Sequence, residues 1–467
     1  MYSTSRYNFS IPTKTGSIIL YNARTGASRH FAGSDAADLG FALCRHPAKI
    51  DLTNLGEALS QSLLSGGFVV EPGFDEIKQI RELFLQTKAE SPIIVTITTT
   101  NNCNLGCFYC FQKRDESTLE FGNVDKIVER VENILTASGK PALHIDWYGG
   151  EPMLNRAFLE KASSRLQALC NQLGRRYSAS ILTNGTLWPG DPLAFARIHM
   201  IERVQVTFDG FGKSHNKVRR YRRGFSGEDQ FQGAIRLIEA LKRDVTVDIR
   251  FNLGTKNSAD LVLLAEFGMT NGWFEKGSKA TLQIAKLTPY STEVDFIRKT
   301  ELAYAEFEAA RDVVRAIVPE IYLDKTAALD RYPHPRRSVC AAIAEDSIVI
   351  GADGSLYNCG LQVTEPHRAV GQLDRESTAQ QATQEQWWDG FDPTRNEKCS
   401  TCSFLPLCWG ACPKLHLERD TASLDQQSEF WRTMLPRRLT SSLGLQLPTD
   451  FALTATDQFK SAPPDRR

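Results

Sequence analysis

The chain has 467 residues, with 55 Lys plus Arg against 55 Asp plus Glu and 42% hydrophobic content. That length calls for more than one domain, the composition is that of ordinary soluble globular proteins, and the balanced charge argues against nucleic-acid binding driven by net charge. No apolar run long enough to span a bilayer occurs and the opening MYSTSRYNFSIPTKTG lacks a secretory stretch, so the expected setting is the cytoplasm, with neither membrane nor nucleic acid as partner.

Residues 7 to 32 read as two or three short strands, Ser17 to Tyr21 and Ser28 to Ala32 flanking the turn-prone Asn22 to Gly26. Ser34 can cap a helix through Cys44, and Thr53 or Asn54 a second, whose Leu55, Leu59 and Leu63 recur at helical spacing before Gly66. Phe68 to Val70 returns as a strand, and a third helix from Asp75 carries Ile77, Ile80 and Phe84 on one face. Residues 1 to 90 therefore read as a small hairpin plus three helices, a pattern similar to a winged helix.

From residue 92 apolar strands alternate with amphipathic helices. The strands are Ile93 to Thr98, Leu143 to Tyr148, Tyr177 to Thr183, Val204 to Phe208, Val245 to Leu253 and Thr281 to Leu287; Asp125 to Ala137 and Gln232 to Leu241 are among the helices. Such alternation implies βαβ units and a parallel sheet, whose sites gather at the carboxyl ends of the strands. A helix from Lys299 to Ala316 closes this region, and RYPHPRR at Arg331 to Arg337 reads as a linker. Asp353-Gly354 then predicts a hairpin between Ile348 to Ile350 and Ser355 to Asn358, and the tail SAPPDRR is expected to be disordered.

Nine of the eleven cysteines fall into two groups, Cys103, Cys107 and Cys110, then Cys340, Cys359, Cys399, Cys402, Cys408 and Cys412. A reducing compartment disfavours disulfides, so grouped spacing points to metal or cluster ligation. Cys44 and Cys170 stand apart and read as packing, Cys170 on an apolar helical face with Phe158, Leu159, Ala162, Leu166 and Leu173. Three thiolates on a four-iron cube leave one iron for an outside ligand, whereas zinc would ask for a fourth nearby Cys or His.

CNLGCFYC, with Tyr109 before its last cysteine and an apolar strand before its first, resembles the signature of the radical S-adenosylmethionine (SAM) superfamily. HIDWYGGEPML supports it, because Gly149, Gly150, Glu151 and Pro152 match that superfamily's GGEP, the segment that binds the amino group of SAM. The resemblance implies a catalytic [4Fe-4S] cluster on Cys103, Cys107 and Cys110, and SAM contacts from Tyr109, Gly149, Gly150, Glu151, Pro152, Thr207 and Arg219. Softer matches are Thr183, Asn184 and Gly185, with Asp209 and Arg250 near later strand ends; the run Lys217 to Arg223 reads first as a solvated basic loop.

The second cysteine group resembles the SPASM module of peptide- and sulfatase-maturing enzymes. The resemblance assigns Cys340, Cys359 and Cys412 to one auxiliary [4Fe-4S] cluster and Cys399, Cys402 and Cys408 to another. The family's seventh cysteine is missing, so one or two auxiliary clusters are expected, with His416, water or substrate as a replacement ligand, or a structural zinc ribbon instead.

The expected fold is therefore α/β: a partial (β/α)6 TIM-like radical SAM barrel at 91–330, an N-terminal winged-helix-like (PqqD-like) peptide-recognition unit at 1–90, a C-terminal cysteine-rich SPASM module at 331–425, and a helix with a disordered tail at 426–467. The resemblance implies an enzyme that cleaves SAM to a 5'-deoxyadenosyl radical and abstracts hydrogen from a ribosomally made precursor peptide held by its leader, giving a carbon-carbon or thioether cross-link or a related change. A flavodoxin or ferredoxin would supply electrons. Sulfatase maturation, with oxidation of Cys or Ser to formylglycine, is the second reading, and a non-catalytic iron-sulfur or zinc scaffold the third.

Overall fold

The computed structural model describes residues 1–324, 331–449 and 451–460; the tail expected to be disordered lies outside them. The chain forms two compact units, one of 92–327 with 341–389, the other of 1–91, 328–340 and 390–467. This differs from a division into four consecutive stretches because residues 331–425 contribute to both units, the 348–357 hairpin to the first and Cys399 to Cys412 to the second.

In the second unit the amino-terminal part contains β1 (Tyr2–Thr4), β2 (Asn8–Pro12), β3 (Ile18–Asn22), β4 (Ser28–Phe31), α1 (Ser34–Cys44), β5 (Lys49–Ile50), α2 (Glu57–Ser65), β6 (Val69–Val70) and α3 (Glu76–Glu90). Strands β2, β3 and β4 form an antiparallel sheet, and β5, β1 and β6 a second small one. Alternation along β3 sends Leu20 to a core with Phe31, Leu43, Leu63 and Phe68, and Ile19 and Tyr21 to another with Leu405, Leu435 and Leu439. Phe9 stacks on Phe404 with ring centroids 4.8 Å apart, so the first and last parts of the chain share this core. The stretch expected as a linker is packed as well: Tyr21 donates to the Pro333 carbonyl at 2.8 Å and the Arg336 amide to Pro406 at 2.8 Å.

The first unit is built on β7 (Ile93–Thr98), α4 (Gly122–Ser138), β8 (Ala142–Tyr148), α5 (Arg156–Gln172), β9 (Arg176–Thr183), α6 (Pro192–Ile198), β10 (Ile201–Phe208), α7 (Lys213–Val218), α8 (Gln230–Leu241), β11 (Thr246–Leu253), α9 (Ser258–Thr270), β12 (Ala280–Lys286) and α10 (Tyr304–Arg315). Strands β7 to β12 are parallel and in sequence order, as the alternation predicts. The hairpin of β13 (Ile348–Ile350) and β14 (Ser355–Tyr357) adds to the same sheet, β13 lying parallel to β7, and β15 (Gly371–Gln372) ends it before α11 (Ala379–Gly390). The expected cysteine-rich module thus gives its hairpin to the main sheet, with Ser347 Oγ accepting from the Ile94 amide at 3.1 Å.

One face of the parallel sheet is apolar and closed, with Val95, Ile145, Ala179, Val206, Ile249 and Leu282 fully buried. The other is polar: Thr96, Asp146, Ser180 and Arg203 share one register, and Gln205, Asp248 and Thr281 share the next on the same face, two residues further along the strands. Parallel sheets covered by helices on both faces are apolar on both. A polar second face is therefore not a surface for a layer of apolar helices. No helix is long and apolar enough to cross a membrane among the described residues.

Candidate functional site

The first cysteine group follows β7 at its carboxyl end. Cys103 and Cys107 are each 9% exposed and pack with Leu105, Tyr109, Cys110 and Tyr221. Burial pushes the Cys103 thiol up to about 12, with Glu151 and the other two cysteines adding to it, and burial also raises Cys107. Such thiols ionise when a metal takes them, since a coordinated thiol is deprotonated outright. None of the eleven cysteines is in a disulfide, and no three His, Cys, Asp or Glu side chains converge as ligands of a single ion do among the described residues. A four-iron cube takes one thiolate on each of several irons, so three cysteines gathered in one small wrap without meeting at a point fit it.

The loop is braced from outside. Gly106 donates to the Arg220 carbonyl at 2.8 Å and Arg222 to Asn104 at 3.0 Å, while the Arg222 guanidinium binds Asn102 Oδ1 at 2.7 Å and the Cys103 carbonyl at 3.0 Å. Arg114 reaches the Cys107 carbonyl at 2.6 Å. The run expected as a solvated basic loop is thus, in part, the strap that holds the cysteine loop.

The GGEP turn at the end of β8 is zipped onto the same loop, with Gly150 donating to Thr100 at 2.9 Å and Glu151 to Asn102 at 3.0 Å. A Cβ on Gly149 would strike the Thr100 carbonyl and one on Gly150 that of Asn102, and Gly149 also has φ 142°. The bare backbone expected to approach a ligand is required first by this contact between two strand ends. Glu151 is fully buried, and its carboxylate accepts from Thr183 Oγ1 at 2.9 Å, the Asn184 amide at 2.7 Å and the Met153 amide at 3.1 Å. Its side chain ties β8 to β9, while Pro152 starts a 3-10 turn, Pro152–Asn155. Burial raises the Glu151 carboxyl to about 7 against these three bonds.

Tyr109 and Arg219 also come together. Tyr109 Oη donates to Asp209 Oδ2 at 2.7 Å, Arg219 Nη2 donates to Tyr109 Oη at 2.9 Å, and Arg219 Nε pairs with Asp209. Asn252 completes the network, its Nδ2 reaching Asp209 Oδ1 at 3.0 Å. The polar ends of both expected SAM contacts are therefore engaged inside the protein, and they fix the aromatic residue between two cysteines. Thr207 lies on β10 opposite Arg250 in register, two residues before Asp209. Asn252 was not singled out by sequence reasoning; the signal available was its place in the polar alternation of β11, two residues after Arg250 and four after Asp248.

The second cysteine group divides: Cys359 lies in the sheet unit, Cys340, Cys399, Cys402, Cys408 and Cys412 in the other. Burial pushes Cys399 up to about 12 and Cys408 to about 11, each raised further by neighbouring cysteines of the set, so Cys399, Cys402 and Cys408 lie within electrostatic reach of one another. His416, considered as a replacement ligand, has Nε2 bonded to the Gly410 carbonyl at 2.6 Å. Cys170 is fully buried on α5 as packing predicts, and Cys44 packs beside the Leu20 core.

A cavity of about 610 Å³ opens among Ile94, His144, Arg175 and Ser178, at the amino ends of the strands. It holds none of the cysteines, and parallel sheets place their chemistry at the opposite edge, so the cysteine loop is the candidate site.

Residues 97–268 match the family model described as the Radical SAM superfamily. The serine-type anaerobic sulfatase-maturating enzyme of Klebsiella pneumoniae is 24% identical over 322 residues, covering 67% of this chain and 79% of that protein. The radical SAM cyclopropyl synthase TigE of Paramaledivibacter caminithermalis is 26% identical over 215 residues, 42% of this chain and 43% of that one. Among solved structures, native anSMEcpe with bound AdoMet and Cp18Cys peptide superposes with a TM-score of 0.58 at 20% identity, covering 76% of this chain and 99% of that chain, which shows a common fold. The matched domain begins at the end of β7 and takes in the cysteine loop, the GGEP turn and the Asp209 network. Residues 97–268 thus carry a radical SAM domain, and the chain is an enzyme similar to the anaerobic sulfatase-maturating and peptide-modifying radical SAM enzymes.

Proposed function

We propose that this enzyme is a maturase of a ribosomally made precursor peptide, which it modifies by a cross-link or a related change after binding the leader through its amino-terminal elements. When bound, a [4Fe-4S] cluster on Cys103, Cys107 and Cys110 would supply reductive cleavage of SAM to a 5'-deoxyadenosyl radical. The chain's own part is to hold the cysteine loop, seat SAM beside the GGEP turn and orient one C–H bond, since orientation selects the hydrogen that is lost. The mutual electrostatic influence of Cys399, Cys402 and Cys408 supports an auxiliary cluster there, and a flavodoxin or ferredoxin would deliver the electron.

The observation that carries the peptide reading is the antiparallel sheet β2-β3-β4 with α1 to α3, which lies ahead of residues 97–268 and ends on the edge strand β4. Asn22 donates to Ala27 at 2.9 Å, so alternation along β4 turns the backbone groups of Ser28 and His30 away from β3. An extended leader could add there as a further strand. The test is incubation of the reconstituted enzyme with a short peptide encoded beside its gene, read as a SAM-dependent mass change, together with His30→Pro, which removes an outward N–H. Leader affinity should fall about tenfold in that variant while the fold is kept. A mass change that ignores the leader, with unchanged affinity, would contradict the reading.

Sulfatase maturation is the second reading, favoured by the match over two thirds of the chain to a sulfatase-maturating enzyme. It predicts turnover of Cys- or Ser-containing sulfatase peptides without any leader.

A further inference from the structure

Beside the cysteine loop the sheet unit exposes aromatic rings that the mechanism above does not use. Phe108, between Cys107 and Tyr109, and Phe296, in the 3-10 segment Thr292–Thr300 after β12, are each 52% exposed, with ring centroids 6.5 Å apart and planes tilted by 43°. Phe108 also meets Tyr109 edge-on at 5.6 Å. Phe111, directly after Cys110, meets Tyr290 at 5.6 Å and 70°. Two pairs thus repeat one arrangement, a ring next to a candidate cluster ligand set against a ring from the segment that follows β12.

Two large apolar side chains left half in water at a catalytic mouth call for a cover. A permanent partner, whether another protein or a second copy of this chain, would shut the mouth through which substrate must pass. The cover is therefore something that arrives and leaves with the substrate. The 43° tilt between the half-exposed Phe108 and Phe296 leaves faces of these two rings open to a third ring, in the tilted geometry that aromatic groups favour over flat stacking. We infer that Phe108, Phe111, Tyr290 and Phe296 form a slot for an aromatic side chain of the peptide substrate, setting which residue lies at the reacting centre. The inference rests on the peptide-maturase reading and adds a substrate class to it.

The test uses reconstituted enzyme labelled with 4-fluorophenylalanine and followed by ¹⁹F NMR, the resonances of Phe108 and Phe296 being assigned through Phe108→Leu and Phe296→Leu. N-acetylphenylalaninamide should shift both resonances saturably, and N-acetylalaninamide about tenfold more weakly or not at all. Equal responses to the two probes, or no shift at these resonances, would overturn the slot. A second arm compares wild type and Phe296→Ala on the precursor peptide, where KM should rise about tenfold with a smaller change in kcat. Turnover by wild type with unchanged KM in Phe296→Ala removes the slot and leaves the maturase reading standing. No turnover of any neighbouring peptide by wild type removes the maturase reading, while the ¹⁹F arm still decides the slot.

Discussion

The two cysteine groups rest on different supports. The Cys103 to Cys110 loop is tied to the ends of parallel strands and the segments after them, through Asp209, Arg222 and the GGEP turn. The Cys399 to Cys412 stretch combines local turns, Cys402 donating to Cys399 at 3.1 Å, Cys408 to Phe404 at 2.9 Å and Ala411 to Cys408 at 3.2 Å, with bonds from both ends of the chain and the 331–337 stretch: Arg6 to the Ser400 carbonyl at 3.0 Å, Arg336 to the Cys408 carbonyl at 2.8 Å and Ser403 to the Gln458 carbonyl at 2.8 Å. Three successive residues, Trp409, Gly410 and Ala411, take positive φ there. A loop tied to strand ends can be aligned with groups on several strands, as a reaction centre requires. A loop built on turns and on the chain's own ends has its shape set without the strands of the parallel sheet.

The contrast breaks most readily at the buried pair. Asp209→Asn leaves the Arg219 guanidinium without its carboxylate in a site where the two side chains are 8% and 4% exposed, and should cost about 3 to 5 kcal/mol in chemical denaturation. It should also disturb the spectroscopic signature of the catalytic cluster while that of the second group stays unchanged. If both signatures change together, the two groups are not held independently.

Glu151→Gln comes next, at about 1 to 3 kcal/mol, because an amide cannot accept from all three donors that the carboxylate serves. The sign of its pH dependence follows from burial. With the folded carboxyl raised to about 7, the folded unit binds the proton more tightly than the unfolded chain, so this contribution is present below the ordinary carboxylate range and lost as pH rises through about 7. Urea titrations from pH 4.5 to 8 should show that loss in wild type and a flatter profile in the variant.

In the second group, Gly410→Ala puts a Cβ at φ 76° and 2.8 Å from Pro393 Cβ, for about 1 to 2 kcal/mol and loss of iron from that group alone. Cys170→Ala should be the smallest change, about 1 kcal/mol from a packing void on α5 with metal content unaltered. A loss of iron in that variant would mean that Cys170 is more than packing.

The sequence made the local parts legible. All six parallel strands were found, with Tyr177 to Thr183 expected against Arg176–Thr183 observed, and a helix through Cys44 expected against Ser34–Cys44. Apolar alternation and cysteine spacing are local signals; caps were read less well, since Gly33 and Gly56 precede α1 and α2 where Ser34 and Thr53 or Asn54 were expected, while Asp75 caps α3. Register across the sheet is not local, which is why the Asp353-Gly354 hairpin was foreseen while its pairing with β7 was not. The Arg222 strap was missed for a related reason: a run of basic residues looks alike whether its guanidiniums meet water or the carbonyls of a loop more than a hundred residues earlier. Glu151 shows the same limit within the motif, since GGEP announces a site but not that its carboxylate is spent joining two strand ends.

The central claim is that Cys103, Cys107 and Cys110 carry the catalytic cluster. Its most direct test is anaerobic reconstitution of wild type and of a variant with all three replaced by alanine, with iron counted and 5'-deoxyadenosine measured after addition of SAM and dithionite. Wild type should yield deoxyadenosine and the variant none, with a difference of about four irons between them. Equal iron in the two proteins, or deoxyadenosine from the variant, would contradict it.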